Sequence, residues 1–94
     1  MKTVTIQIGN SDDKLPQREW AEFVSAVVIV LMDADVAIHF GGHSNPADPW
    51  QNAAWVIVGE PKAIALLKKQ LVHARSRYRQ DSIAWTEADK TEFV

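Results

Sequence analysis

Cysteine is absent from the 94-residue chain. Disulfides, thiolate metal sites and cysteine nucleophiles are thereby excluded. Long apolar runs are also missing. The longest, Ala26 to Met32, has seven residues, where a membrane-spanning helix needs about 20. Met1 to Gly9 alternates apolar and polar residues. It lacks the continuous apolar stretch and small-residue cleavage site of a secretory signal. A basic excess is missing too: ten Lys and Arg stand against twelve Asp and Glu, a net charge of −2. A general nucleic-acid binder would be markedly basic. Low-complexity tracts, repeats and linkers are not seen. Together these absences predict a cytoplasmic protein with no membrane or nucleic-acid partner. No catalytic motif and no cofactor signature is found, so a non-enzymatic role is expected.

What remains is an ordinary globular composition, 47% hydrophobic and 23% charged, enough for one core and one domain over residues 1–94. Thr3 to Ile8 alternates, with Val4, Ile6 and Ile8 on one side, and reads as a half-buried strand. Gly9 to Asp13 is turn chemistry. After Pro16, Trp20, Phe23, Val24, Val27 and Leu31 recur at helical spacing and predict a helix that buries that stripe. Ile29 and Met32 fall off the stripe. Val36 to Phe40 reads as a second strand, stopped by Gly41-Gly42, and Gln51 to Val58 as a third. The third is apolar on both faces, as a central strand would be. Pro61 opens a second helix with the stripe Ile64, Leu67, Leu71, Ala74 and Tyr78. Ile83 to Glu87 is a fourth strand.

The order β-α-β-β-α-β predicts an α+β, ferredoxin-like sandwich: a four-stranded antiparallel sheet with two helices on one face. Right-handed crossovers place the first and third strands in the centre and the fourth and second at the edges. Four turns are expected at one end of the sheet: 9–16, 33–35, 59–61 and 81–82. Their polar residues, Asn10 to Lys14, Asp33, Asp35, Glu60 and Asp81, would then gather where a hard cation could bind. The spacing is not that of an EF-hand, and turn and capping duties explain the residues without a metal. The Gly41–Asn52 loop is expected at the opposite end.

That loop is the most unusual stretch, with an imidazole, a carboxylate, two amides and an indole. His39, His43, Asp48, Trp50, Gln51, Asn52 and Trp55 are the candidates for ligand or partner contact. A His–Asp pair could supply a base, but no nucleophile or oxyanion hole accompanies it. The second helix region carries six basic residues and no acidic one between Pro61 and Gln80, leaving −8 for the rest. Lys68, Arg75 and Arg79 share one stripe and are candidates for contact with an anionic partner. On the sheet face away from the helices, Thr3, Thr5 and Gln7 should be joined by Ala37 and His39, and by one apolar set of the third strand. An apolar sheet face rimmed by polar groups marks association, so a homodimer is expected. A fold-back of Thr91 to Val94 over that face is the competing account.

Three strings, Ile6 to Leu15, Pro49 to Trp55 and Asp81 to Glu87, resemble small uncharacterised proteins of actinobacteria and their phages. The resemblance implies a phage-type accessory protein and carries no activity with it. The length and ferredoxin-like unit are also similar to those of dimeric α/β-barrel monooxygenases. Gln7 stands where some heme-degrading members have Asn, and His73 lies eighteen residues after Trp55, so their triad is not matched. The expected function is therefore a protein-binding or self-associating module that uses the open sheet face and the Gly41–Asn52 loop. The alternative is a small enzyme or ligand-binding dimeric barrel, with a pocket between sheet and helices lined by Trp55, His39 and Gln7.

Overall fold

A computed structural model describes residues 1–10, 14–45 and 51–94. The elements are β1 (Lys2–Gly9), α1 (Gln17–Asp33), β2 (Val36–His43), β3 (Asn52–Gly59), α2 (Pro61–Arg77) and β4 (Ala84–Ala88). They form one antiparallel sheet in the order β2-β3-β1-β4, with both helices on one face. The fold is the ferredoxin-like sandwich that the element order predicts.

Alternation decides which side of each strand meets the helices. Val4, Ile6 and Ile8 of β1 and Ala53, Trp55 and Ile57 of β3 are buried. The helices answer with Trp20, Phe23, Val27 and Leu31 from α1 and Ile64, Leu67, Leu71 and Ala74 from α2. Ile29 and Met32 are exposed, as their place off the α1 stripe requires. Phe23 ties the helices together, with its ring 5.3 Å from Tyr78 and 6.3 Å from Trp20.

The helices begin and end for local reasons. Pro61 sits in the first turn of α2, where its missing N–H costs nothing. At the other end of α2 the Gln80 amide bonds the Arg75 carbonyl at 3.0 Å and the Arg79 amide bonds that of Ser76 at 3.2 Å. This closure puts Arg79 in the left-handed region, φ 58°, a position that glycine usually fills.

Two expectations about strands are corrected. β2 does not stop before its glycines but runs through them to His43. Gly41 lies opposite Trp55, and a Cβ there would sit 2.6 Å from the indole Cδ1. The glycine is the space the buried indole occupies. Further, the pairing with β3 slips between Ile38 and Phe40. The bulge makes Phe40, not His39, the partner of Val56 on the open face.

The placing of the turns is also corrected. Gly9 pairs with Asn52, Gln7 with Ala84, and Lys2 with Gly59. The 9–16 turn, the loop between β2 and β3 and the 80–83 turn therefore share one end. The 33–35 and 59–61 turns share the other with Met1. Each crossover helix returns the chain to the end from which its strand started, and this alternation governs where every loop falls.

Candidate functional site

At the end that holds Gly9, a polar network binds the loop to the first turn. Asn10 is buried, 4% exposed. Its Nδ2 donates to the Leu15 carbonyl at 2.8 Å and to Gln51 Oε1 at 3.1 Å, and its Oδ1 accepts from the Leu15 amide at 3.1 Å. The Asn10 amide donates to the Gln51 carbonyl at 2.8 Å. Gln51 Nε2 continues to Gln17 Oε1 at 2.7 Å. The Asn52 amide donates to Ser44 Oγ at 3.0 Å, and the Ser44 amide to the Asn52 carbonyl at 2.8 Å. Gln51 thus holds the hairpin onto the turn before α1 and Asn52 closes the hairpin on Ser44, a network for which a partner is not needed. A strand-ending Gly-Asn followed by Leu15 was the signal for it, because Asn satisfies a turn's own backbone.

His43 borders two shallow depressions at this end. One, about 360 Å³, includes Gln7, Phe40 and Asn52; the other, about 290 Å³, includes Trp20, Gln51 and Asn52. His43 Nδ1 lies 2.9 Å from the Ser44 carbonyl. His43, Gln51 and Asn52 are therefore brought together. His39 sits apart on the bulge. Asp48 and Trp50 lie outside the described residues, and so do Ser11, Asp12 and Asp13 of the acidic turn.

The anticipated pocket of Trp55, His39 and Gln7 does not form. Trp55 is buried on the helix side, 6% exposed, whereas Gln7 pairs with Ala54 and Ala84 on the opposite side. The space between sheet and helices is filled by Phe23, Ile6, Leu15, Leu31 and their neighbours. The gathering of carboxylates is likewise split: Asp33, Asp35 and Glu60 are at one end, and Asp81, paired with Lys14 at 3.2 Å, at the other. Among the described residues no cluster of three metal-ligating side chains exists.

The cationic candidates each have a neighbour within the chain. Lys68 Nζ stands 5.3 Å over the Trp85 ring. Arg75 donates to the Gln80 carbonyl at 3.1 Å, and Arg79 pairs with Glu19 of α1. Trp85 faces the helices, and its indole donates to Glu87 at 3.2 Å. This hydrogen bond, aided by the charge of Lys2 at 3.6 Å, holds the Glu87 carboxyl below its ordinary value.

The open face of the sheet has a different chemistry. Cross-strand pairing puts Thr3, Thr5 and Gln7 of β1 there, with Ala37, Phe40 and Gly42 of β2, Ala54, Val56 and Val58 of β3, and Ala84, Thr86 and Ala88 of β4. None of these residues is charged. Phe40 is 63% exposed, which sequence alternation missed because the bulge is invisible in it. Thr91 to Val94 does not cover the face: Phe93 and Val94 are fully exposed.

No family model and no curated protein matches the sequence. Solved structures do resemble the fold. The de novo designed protein Foldit4 superposes with a TM-score of 0.71 at 8% identity, covering 96% of this chain and 98% of that one. A formyltetrahydrofolate deformylase from Pseudomonas syringae pv. tomato gives 0.67 at 17% identity, covering 98% of this chain and 29% of that one. The C-terminal domain of the MgtC protein from Mycobacterium tuberculosis gives 0.59 at 6%, covering 98% and 93%. The chain thus spans under a third of the deformylase. These likenesses establish the ferredoxin-like fold and nothing finer.

Proposed function

We propose that the protein is a non-enzymatic, self-associating module whose interface is the open sheet face. The observation that carries this reading is a face on which, among the described residues, no strand position carries a charge, with Phe40 63% exposed at its margin. A charge-free face offers nothing to a charged partner, and two copies can meet across it with no like charges opposed. Its small side chains suit flat sheet-on-sheet packing, and a two-fold axis uses the same patch twice. His43 and Ser44, beside Phe40 at the margin of that face, would add contacts to a protein partner. A phage-type accessory role in the cytoplasm belongs to the same proposal. Among the described residues, no helix is long and apolar enough to cross a membrane.

Sedimentation velocity at tens of micromolar tests the reading. A species heavier than one chain is expected, and Val56→Lys, which plants a charge in the centre of the face, should lower the mass. A wild-type protein that sediments as one chain, or a Val56→Lys mass equal to wild type, overturns it.

A further inference from the structure

One open face is small for a stable interface. Three strands of eight residues and one of five, at about 3.3 Å a residue and about 4.8 Å apart, cover roughly 460 Å². A standard interface buries about 800 Å² per partner. Something must enlarge the face if closure is to hold.

The sheet edge formed by β2 can do so. All eight of its residues lie at the margin, and all but Val36 and Gly42 are exposed. Natural edge strands are usually short, or defended by Lys, Pro, an inward charge or a bulge. β2 has no Pro, Lys, Arg, Asp or Glu in Val36–His43, and among the described residues its bulge is the defence it shows. Ile38 on the helix side is 41% exposed and Phe40 on the other side 63%. β4, the opposite edge, has five residues, including the charged Glu87.

We infer that β2 pairs antiparallel with β2 of a second copy, so that two chains make one eight-stranded sheet. The inference rests on the self-association proposed above and adds a second interface to it. The occupant is a second copy because the strand complements itself. The bulge brings Ile38 and Gly41 to one face. A two-fold axis between His39 and Phe40 then sets Ile38 of each copy opposite Gly41 of the other, a large side chain against none. That axis runs normal to the sheet, so both open faces end on the same side, and their joint area reaches roughly 900 Å². Two such sheets can then close face to face. Perpendicular two-folds of this kind generate a four-chain assembly.

Ile38→Lys separates the two interfaces, because Ile38 is on the helix side and leaves the open face untouched. It is measured beside wild type and Val56→Lys by sedimentation velocity, with circular dichroism as the check on folding. Hydrogen exchange of the 36–43 amides follows the edge directly. Wild type is expected to sediment as four chains with slow exchange over 36–43. Ile38→Lys should halve or quarter the mass and quicken that exchange, while Val56→Lys should leave edge-paired dimers. A wild-type assembly that Val56→Lys breaks and Ile38→Lys does not overturns the edge pairing and leaves the face reading standing. An assembly that only Ile38→Lys breaks supports the edge and overturns the face. A single chain at all concentrations overturns both.

Discussion

Trp20 shows how much one residue can decide at the residue scale. It opens the buried stripe of α1, is 7% exposed, and meets Phe23 edge-on. Truncation of a buried aromatic costs about 3–5 kcal/mol. Trp20→Ala is therefore expected to lower the urea midpoint severely, and an unchanged midpoint would refute the packing of α1. Gly41 is the inverse case, a position where nothing can be added. Its missing Cβ is the room for the Trp55 indole, with 2.6 Å to the nearest ring atom, and that indole is locked in the core. Gly41→Ala should cost about 1–3 kcal/mol, the usual range for overpacking; chemical denaturation measures it, and a neutral result would mean the indole can move aside. Glu87 carries the pH dependence at this scale. Its folded pKa is lowered, first by the Trp85 indole and then by Lys2. A depressed carboxyl contributes stability above its unfolded value that is lost as the pH falls through the folded one. Below pH 4.5, the ordinary value, wild type should therefore lose stability that Glu87→Gln never had. Parallel acid-limb melts of the two proteins give the comparison, and curves with a constant offset would refute the linkage.

Between elements, Asn10 does what no core residue can. It joins the end of β1 to the turn before α1 through Leu15 and to the hairpin through Gln51. Asn10→Ala would leave the Leu15 amide and carbonyl without their side-chain partner. An unsatisfied buried polar group costs about 1–3 kcal/mol, so a loss of that order is expected in thermal melts. Gln51→Ala, which removes only the outer half of the network, should cost less; the reverse ranking would contradict the geometry. The strength of the sequence signal varied from element to element in the same way. β1 and α1 were plain, because six alternating residues and a five-residue helical stripe each leave one way to bury apolar surface. The end of β2 was not, because Gly41-Gly42 reads as a stop unless the indole that needs the space is known. Nor was the bulge, since Val36 to Phe40 alternates regularly in sequence. Through that slip Phe40 rather than His39 came opposite Val56 on the open face. The gathering of turns was misjudged for a topological reason: the direction of every strand must be followed before two loops can be assigned to one end. Of the site candidates, His43, Gln51 and Asn52 did converge. Trp55 did not, because the β3 alternation turned its side chain to the helices.

At the scale of the whole molecule, charge and apolar surface are both unevenly placed. Six cations and no anion lie between Pro61 and Gln80, on the helix side, while the opposite sheet face carries no charge. A uniformly solvated monomer has no use for such a face: chains of this length bury only about 60–70% of their unfolded surface and are correspondingly marginal. Under the proposed self-association, assembly would be part of folding, because whatever binds the folded form alone stabilises it by mass action. For a two-chain species that dissociates on unfolding, each tenfold rise in concentration adds about 0.7 kcal/mol per chain, half of the ~1.4 kcal/mol that a factor of ten represents. In a domain of this size 1 kcal/mol moves the melting temperature by about 4–8 °C. The melting temperature should accordingly rise by about 3–6 °C per tenfold between 1 and 100 μM, figures set by the same mass-action relation. Val56→Lys, which removes the face interface and leaves at most the edge-paired dimer, should lessen that dependence. It should leave the melting temperature at the dilute end close to wild type, since Val56 is only half-buried within one chain. Differential scanning calorimetry across the range reads both quantities. A wild-type midpoint independent of concentration would show that this chain is stable with its uncharged face in water.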